Sequence, residues 1–513
     1  VESYSGVTTP LTFSFIRKAY SAVYWQFCEV IGVDRKTIFE NRLMFENMLG
    51  LIQGRVYYNL LNWYRLIALM PGFSYNRRFM EQMMGLQIIK DFSPGKEPGN
   101  RWEKYFLHLP KLLKVGAKML LAHFTLQKRI SEFHANFDKV YLRYSKMDYE
   151  KMTPAAIMQI YHTLEDEVLW KWKAPILNDF EAMIFYGLLK RLTVRWQLDK
   201  EGTLQNDLLC GSGGIRSIRV TDELAYVAKM VGDREDLKKV FLQHPPEEML
   251  IRLKNEPLFS DINREFERYL DNYGVRSIDE MKLESTPVKD NPAFCVSIIQ
   301  NYLRTSIPDP EKQRRHEQDI RAKAESLLRE RLKSGNVMIS RFKKFLYEWV
   351  LKNTRDAIKN RENQRFARAE AYSLVRNLLR AIGKNWHGKG ILENAMDIFY
   401  LEIDEVWSFI NGTAVTANLR SLIDTRKHEF GAYHSTNIPD HFETFGEVYI
   451  SKGIFSEESP QENDEALLKG LGCCRGVVEG RLQVVLKPDS NVRLNGEIMV
   501  AGKRIPAGWF FFC

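Results

Sequence analysis

Three arginines of this 513-residue chain stand where chemistry can be done. Arg361, Arg365 and Arg368 recur at i, i+4 and i+7, which on a helix makes one cationic row. Read from spacing alone, such a row is the solvated edge of a core helix. It borders an apolar stripe of Leu374, Val375, Leu378, Leu379 and Ile382, so a helix is expected here. Gly383, Gly388 and Gly390 are expected to stop that helix. The run Ile398-Phe399-Tyr400-Leu401 then reads as a short extended turn. Glu402, Asp404 and Glu405 favour the start of a second helix.

Other stretches carry weaker signals. Gly54 to Phe73, GRVYYNLLNWYRLIALMPGF, reads as one amphipathic helix with Tyr57, Leu60, Leu61 and Tyr64 on a face, ending at Pro71-Gly72. In FERYLDNYGVRSIDEMKL, Gly274 ends a helix, and Arg276 and Glu280 lie four apart. They make either a local ion pair or a buried pair that shapes a pocket. LCGSGGIRS, before a helix near Thr221, is Gly-rich but lacks the Lys-Ser/Thr of a phosphate-binding loop, so it reads as a connector. Trp170 and Trp172 are two apart and read as packing residues.

Composition narrows the classes. The chain is 45% hydrophobic and 27% charged, with 30 Phe, 22 Tyr and 10 Trp, which suits large cores or an aromatic-lined pocket. The net charge of +9 attracts anions in general. No basic tract with interleaved aromatics points to nucleic acid, and no apolar run approaches a membrane span, so neither partner is expected. Six scattered cysteines without a CxxC pair read as buried thiols in a reducing cytoplasm, and no metal-ligand cluster is evident.

In order, the chain opens with a loop and a helix. Thr9-Pro10 sets an extended approach, and Ser14 is placed to cap. The region from Arg78 to about Leu198 is mostly helical, with Thr153-Pro154 as a helix start. A charged helix over Pro310 to Leu332 reads as a surface arm. The fold class expected is mostly α, one large helical domain over residues 1–438. A polar linker follows over 439–463, and residues 464–513 read as the only β-rich part. Strands are expected at Val477-Val478, Leu482 to Leu486 and Ile498 to Val500. The first residue is Val, and the last residues, GWFFFC, are apolar, so the sequence reads as a fragment.

Several dispersed phrases resemble one family. TTPLTFSF, GRVYYN, YGVRSIDE, RENQR…DIFYLEIDE and RGVVEGRLQVV…NGEIMVAGKRIPAGW are similar to phosphoenolpyruvate synthase-like phosphotransferases, closest to the rifampin phosphotransferase branch. The resemblance implies an acceptor-binding helical domain followed by the start of a swivelling β/β/α domain. In that family a swivelling His carries phosphate from an ATP-binding domain to the acceptor. That His lies in a phrase beyond residue 513, so no catalytic residue is assigned here. Arg504 to Trp509 departs from the family's Thr-Asp-Pro-Gly-Trp. By resemblance, the substrate-binding candidates are Arg55, Tyr57, Asn59, Arg276, Glu280, Arg361, Glu362, Arg365 and Tyr400. The fragment itself holds no cofactor on this reading; ATP and Mg2+ belong to the parent enzyme, with the ATP-binding domain upstream. The acceptor would be a small, bulky, hydroxylated molecule. The competing readings are a non-catalytic helical module that binds a ligand or protein, and direct pyruvate chemistry. The latter needs an acidic metal site on a barrel that no βαβ alternation here could build.

Overall fold

The computed structural model describes residues 4–69, 101–200, 202–211, 213–277, 279–333, 337–436, 438–439, 441–444, 446–450, 478–485 and 497–501, with backbone alone at 101–117, 485 and 501. Helices dominate. Their axis is a 52-residue helix, Val337–Gly388, referred to below as the spine. Its second half is buried on most sides through Ala357, Ala367, Ala369, Tyr372, Leu374, Val375, Leu378, Leu379 and Ile382. The alanines matter because small side chains let neighbouring backbones come close. Asn178 Nδ2 donates to Ala357 O at 3.0 Å and clamps the helix Lys173–Arg195 to the spine.

The largest core gathers the spine, the opening helix Pro10–Ile31, the long helix Arg101–Ser145, the helix Pro154–Glu167 and the turn after the spine. Trp172 packs edge-on against Phe133 at 4.9 Å within it, whereas Trp170 is exposed. A second core belongs to five helices between Arg216 and Arg304, built on Leu224, Val231, Phe241, Phe259, Phe266 and Ile299. The charged helix Pro310–Arg331 is less of a free arm than its composition suggests. Ala324 and Leu328 sink into a third core with Leu189 and Tyr347.

Local signals at helix starts are obeyed where proline or a cap fixes the backbone. Thr153 Oγ1 accepts from Ala156 N with Pro154 in the first turn. Asp309 does the same before Pro310. Thr9, not Ser14, is the N-cap residue of the opening helix. Ser14 lies inside the helix, donates to Leu11 O and accepts from Ile403 N at 2.9 Å, so it serves the first turn of another helix, Ile403–Asn411. That second helix starts as expected, with Glu402 and Glu405 forming a reciprocal capping box.

Three expectations are corrected. First, GRVYYN is not helical: Arg55–Tyr58 is a strand paired antiparallel with Leu49–Ile52, and the helix spans only Leu60–Ala68. Gln53 and Gly54 both have positive φ, 45° and 71°, the signature of a two-residue hairpin turn. The β-branched and aromatic run Val56-Tyr57-Tyr58 then favours a strand over a helix. Pro71 and Gly72 lie outside the described residues, and this hairpin means that strands are not confined to the C-terminal part.

Second, the spine runs through Gly383 instead of stopping there. A Cβ at Gly383 would stand 2.2 Å from Ala395 O, so the glycine lets the returning chain touch the helix. Only at Gly390, with φ 71°, does the chain turn away. Third, the run to Tyr400 is a 3-10 turn, Ala395–Tyr400, capped by Asn394 and Asp397, and not an extended segment. The helix expected near Thr221 already begins at Arg216.

At the C-terminal side, Leu482–Val485 pairs with Ile498–Ala501 in parallel. Val478 is not in a strand; Val477, Leu486 and all of residues 451–477 lie outside the described residues. No helix among the described residues is long and apolar enough to cross a membrane. Cys28 and Cys295 are buried thiols and Cys210 is half-buried.

Candidate functional site

The spine positions every element of the site. Between Arg361 and Arg376 it turns successive faces to different partners, because each residue advances 100°. One face carries Arg361, Arg365, Arg368 and Tyr372. Opposite them is Asp179, from the helix that Asn178 clamps to the spine. Arg361 Nε lies 3.5 Å from Asp179 Oδ1, and both side chains are more than half accessible, 54% and 59%. Yet burial among surrounding protein raises the Asp179 carboxyl above its ordinary range, against the pull of Arg361, Arg368 and Arg365. Arg361, Arg365 and Asp179 thus share an accessible charged face. Arg365 Nη1 pairs with Glu362 Oε1 at 3.2 Å on that face.

The row is therefore real but not uniform. Arg361 and Arg365 are exposed, while Arg368 is half-buried with its Nε sealed and without a hydrogen-bond partner. Tyr4, Tyr20 and Tyr372 are the groups that act on it most strongly. Tyr4 and Tyr372 share a buried hydroxyl–hydroxyl hydrogen bond of 2.7 Å, and Phe15 meets Tyr372 edge-on.

A second face holds the loop after Tyr273. Arg276 pairs with Glu280, and its guanidinium lies 5.0 Å from the Phe366 ring centre. The pair is about four-fifths buried, which favours the shaping role over a loose surface pair. Beneath it Arg376 is 1% exposed. It donates to Val275 O, Glu280 O, Lys282 O, Leu283 O and Ser277 Oγ at 2.9–3.3 Å. Burial lowers its pKa to about 10. The same loop grips the chain's opening: Lys282 Nζ donates to Val7 O, Leu283 N to Thr12 Oγ1 and Thr9 N to Glu284. Two phrases 270 residues apart thus meet on the spine.

A third face carries Glu370. Arg216 lies between Asp138, at 2.7 Å, and Glu370, at 3.7 Å, and its backbone N–H is held by Asn363. The Gly-rich loop before Arg216 is a docked connector, since Asn363 Nδ2 also donates to Gly214 O. Burial pushes the Glu370 carboxyl up to about 7, with Asp138 adding to the rise and Arg216 and Arg276 opposing it. His134 sits beside this group, and burial lowers its pKa. Arg376, Glu370 and Asp179 were not singled out from sequence. Arg376 carried the one available signal, an arginine placed inside an apolar stripe. Further along, His123 and Glu181 pair at 2.9 Å amid Phe124, Phe185 and Trp349.

The remaining candidates lie elsewhere. Arg55 donates to Tyr433 O and Thr436 O, and Tyr57 OH donates to Pro439 O while its ring meets Phe442. Asn59 caps the following helix. Arg55 and Tyr57 anchor Tyr433, Thr436 and Pro439 to the hairpin, and none of the three joins the arginine row. Tyr400 gives its carbonyl to Arg426, which also pairs with Glu405. Of the nine candidates, the structure brings Arg361, Glu362 and Arg365 together, with Arg276 and Glu280 on an adjoining face. Among the described residues no three His, Cys, Asp or Glu converge as metal ligands, and no step is routed here through Mg2+.

Residues 175–362 match the rifampicin phosphotransferase fourth domain, a span that includes Asp179, Arg276 and Arg361. Rifampicin phosphotransferases from a Streptomyces species and from Bacillus subtilis are each 25% identical to the chain, over 54% and 47% of its length. The prodigiosin synthesizing transferase PigC of Serratia marcescens is 20% identical over 94% of the chain. These matches span 31%, 27% and 52% of the relatives' own lengths, so the chain corresponds to part of each. The phrases read from the sequence and these alignments agree in pointing to the rifampicin phosphotransferases, to which the chain is similar over about half of its length.

Proposed function

We propose that this chain supplies acceptor binding to an ATP-dependent phosphotransferase that passes a phosphoryl group through a phosphohistidine to a small hydroxylated molecule. The observation that carries the reading is the accessible face where Arg361 and Arg365 stand on the spine opposite Asp179. Phosphoryl transfer asks the protein mostly for positioning and for neutralisation of charge, and accessible guanidinium groups do both. Arg361 and Arg365 would orient the acceptor, Glu362 would fix Arg365, and Asp179 would take a hydrogen bond from an acceptor hydroxyl.

A bulky acceptor also needs apolar surface. Met338, Phe342, Phe345 and Trp349 form an exposed stripe on the spine, ending about 18 Å along the helix from Arg361 at 1.5 Å per residue. The test is saturable binding by the 513-residue chain, read by calorimetry against polyphenols and macrocyclic antibiotics including rifampicin. Binding that weakens at least ten-fold in Arg361→Ala with Arg365→Ala supports the reading. Saturable binding that ignores both substitutions sinks it, as does a screen without a single saturable ligand.

A further inference from the structure

A cavity of about 330 Å³ lies between the spine and the charged helix Pro310–Arg331. Helical spacing builds it. Arg321, Glu325, Leu328 and Arg329 come from the charged helix, and Leu351, Lys352 and Arg355 from the spine, each set three or four residues apart along one face. Glu325 is the hub. Arg321 Nε stands 3.2 Å from Glu325 Oε1, Arg355 Nη2 2.9 Å from the same oxygen, and Arg329 Nη2 3.6 Å from Oε2. One carboxylate thus faces three guanidinium groups and neutralises only one of them. Arg355 is fixed in place, because its Nε and Nη2 both donate to Leu208 O, at 2.9 and 2.6 Å. The side chains of Arg329 and Lys352 are exposed and make no hydrogen bond among the described residues. Of the other acids that line the cavity, Glu348 lies 4.0 Å from Lys344, which does not line it, and Asp356 has no ion pair among the described residues.

We infer that this cavity binds a phosphate group, free or carried as the ester of a small hydroxylated molecule, on the unspent donors of Arg321, Arg329 and Lys352. Like charges gathered round one carboxylate repel each other, and a bound dianion relieves that repulsion more than a carboxylate would. A guanidinium fork matches the paired oxygens of phosphate, and a lysine adds a point charge. With Arg355 already held by Leu208, part of the cationic wall is ordered before any ligand arrives. The volume is that of a small-molecule site and exceeds what a bare phosphate fills. The remainder borders Leu328 and Leu351, both buried, and Asp356, whose carboxylate can accept from a ligand hydroxyl. The cavity is separate from the arginine row: Arg355 stands about 9 Å along the spine from Arg361 and about 120° around it. It uses none of the groups assigned to the acceptor.

Calorimetry on the 513-residue chain at constant ionic strength, with chloride as reference, provides the test. The probes are inorganic phosphate, acetate, ribose 5-phosphate and ribose. Phosphate should saturate at least ten-fold more tightly than acetate. Ribose 5-phosphate binding three-fold or more tighter than phosphate assigns the cavity to an ester, and equal affinities assign it to free phosphate. Arg329→Gln combined with Lys352→Gln, both on exposed side chains, should weaken phosphate at least ten-fold. Glu325→Gln, which removes the competing carboxylate, should tighten it at least three-fold; where that variant does not fold, the double variant decides. The inference is overturned if phosphate does not saturate above chloride and acetate, or if ribose binds as tightly as its phosphate. It is also overturned if phosphate saturates but the double variant binds as the wild type does, since the anion then sits elsewhere. Failure of the acceptor screen with phosphate binding intact would overturn the acceptor reading and leave this cavity standing.

Discussion

Two arginines eight residues apart on the spine, one buried and one half-buried, are treated in opposite ways. Arg376 finds five oxygen acceptors in the 275–283 loop. Arg368 finds phenol rings and keeps an idle N–H. The first arrangement uses a charged side chain as a clamp, spending its donors on carbonyls that would otherwise be buried unpaired. The second leaves donor capacity unused. The same residue type thus makes a fastening where it is buried and keeps an unpaired N–H where it is half-buried, and the partner list is what distinguishes them.

The largest effect should follow from breaking the fastening. Arg376→Met strands five acceptors at the junction of the spine with the loop that also holds Thr9 and Thr12, and should cost about 3–5 kcal/mol in urea unfolding. A loss below about 1 kcal/mol would show that the loop is held by other contacts. Arg368→Met should behave oppositely, changing stability by less than about 1 kcal/mol, because the half-buried guanidinium forms no ion pair among the described residues.

Glu370 sharpens the contrast from the acidic side. Its carboxyl is raised to about 7 from 4.5 by burial. A raised carboxyl is protonated in the folded chain while ionised in the unfolded one, so the folded state binds the extra proton between these values. Stability contributed this way is full below about 4.5 and is lost as pH rises through about 7. Glu370→Gln should flatten that part of the stability–pH curve by on the order of 1–3 kcal/mol. A curve of unchanged slope from pH 4.5 to 7.5 would refute the placement. The smallest stability effect belongs to the arginine row, where Arg361→Ala should change unfolding by less than about 0.5 kcal/mol since the Asp179 pair is exposed. Its effect should appear in ligand binding instead.

How much of this was legible in the sequence differs by element. Proline and capping residues fixed helix starts at Thr153, Asp309 and Glu402, because those signals act within a few residues. The cationic row was legible too, since helical spacing alone aligns Arg361, Arg365 and Arg368. Their unequal depth was not, because it depends on Tyr4, Tyr20 and Asp179, which arrive from distant chain segments. The hairpin at Gln53-Gly54 was misread because Tyr57, Leu60, Leu61 and Tyr64 also fit a helix stripe of period 3.6; the turn geometry decides. Gly383 was misread for a related reason. A glycine within a helix can mark an end or a close approach, and only the position of Ala395 O tells which. Arg55, Tyr57 and Asn59 carried family wording, yet Arg55 and Tyr57 fasten Tyr433, Thr436 and Pro439, and Asn59 caps the next helix.

The uninterrupted course of the spine has a bearing on how such a chain can diverge. Asn178 meets it at Ala357, Asp179 at Arg361, the loop at Arg376 and the returning chain at Gly383. Deleting or inserting a single residue anywhere between these points would rotate one end by 100° and slide it by 1.5 Å. Clamp, arginine row and close contact would then face the wrong partners at once. Over these 27 positions length is therefore conserved by geometry, and new acceptors must be accommodated by exchanging side chains in place, while insertions are free to accumulate only in the connections outside it.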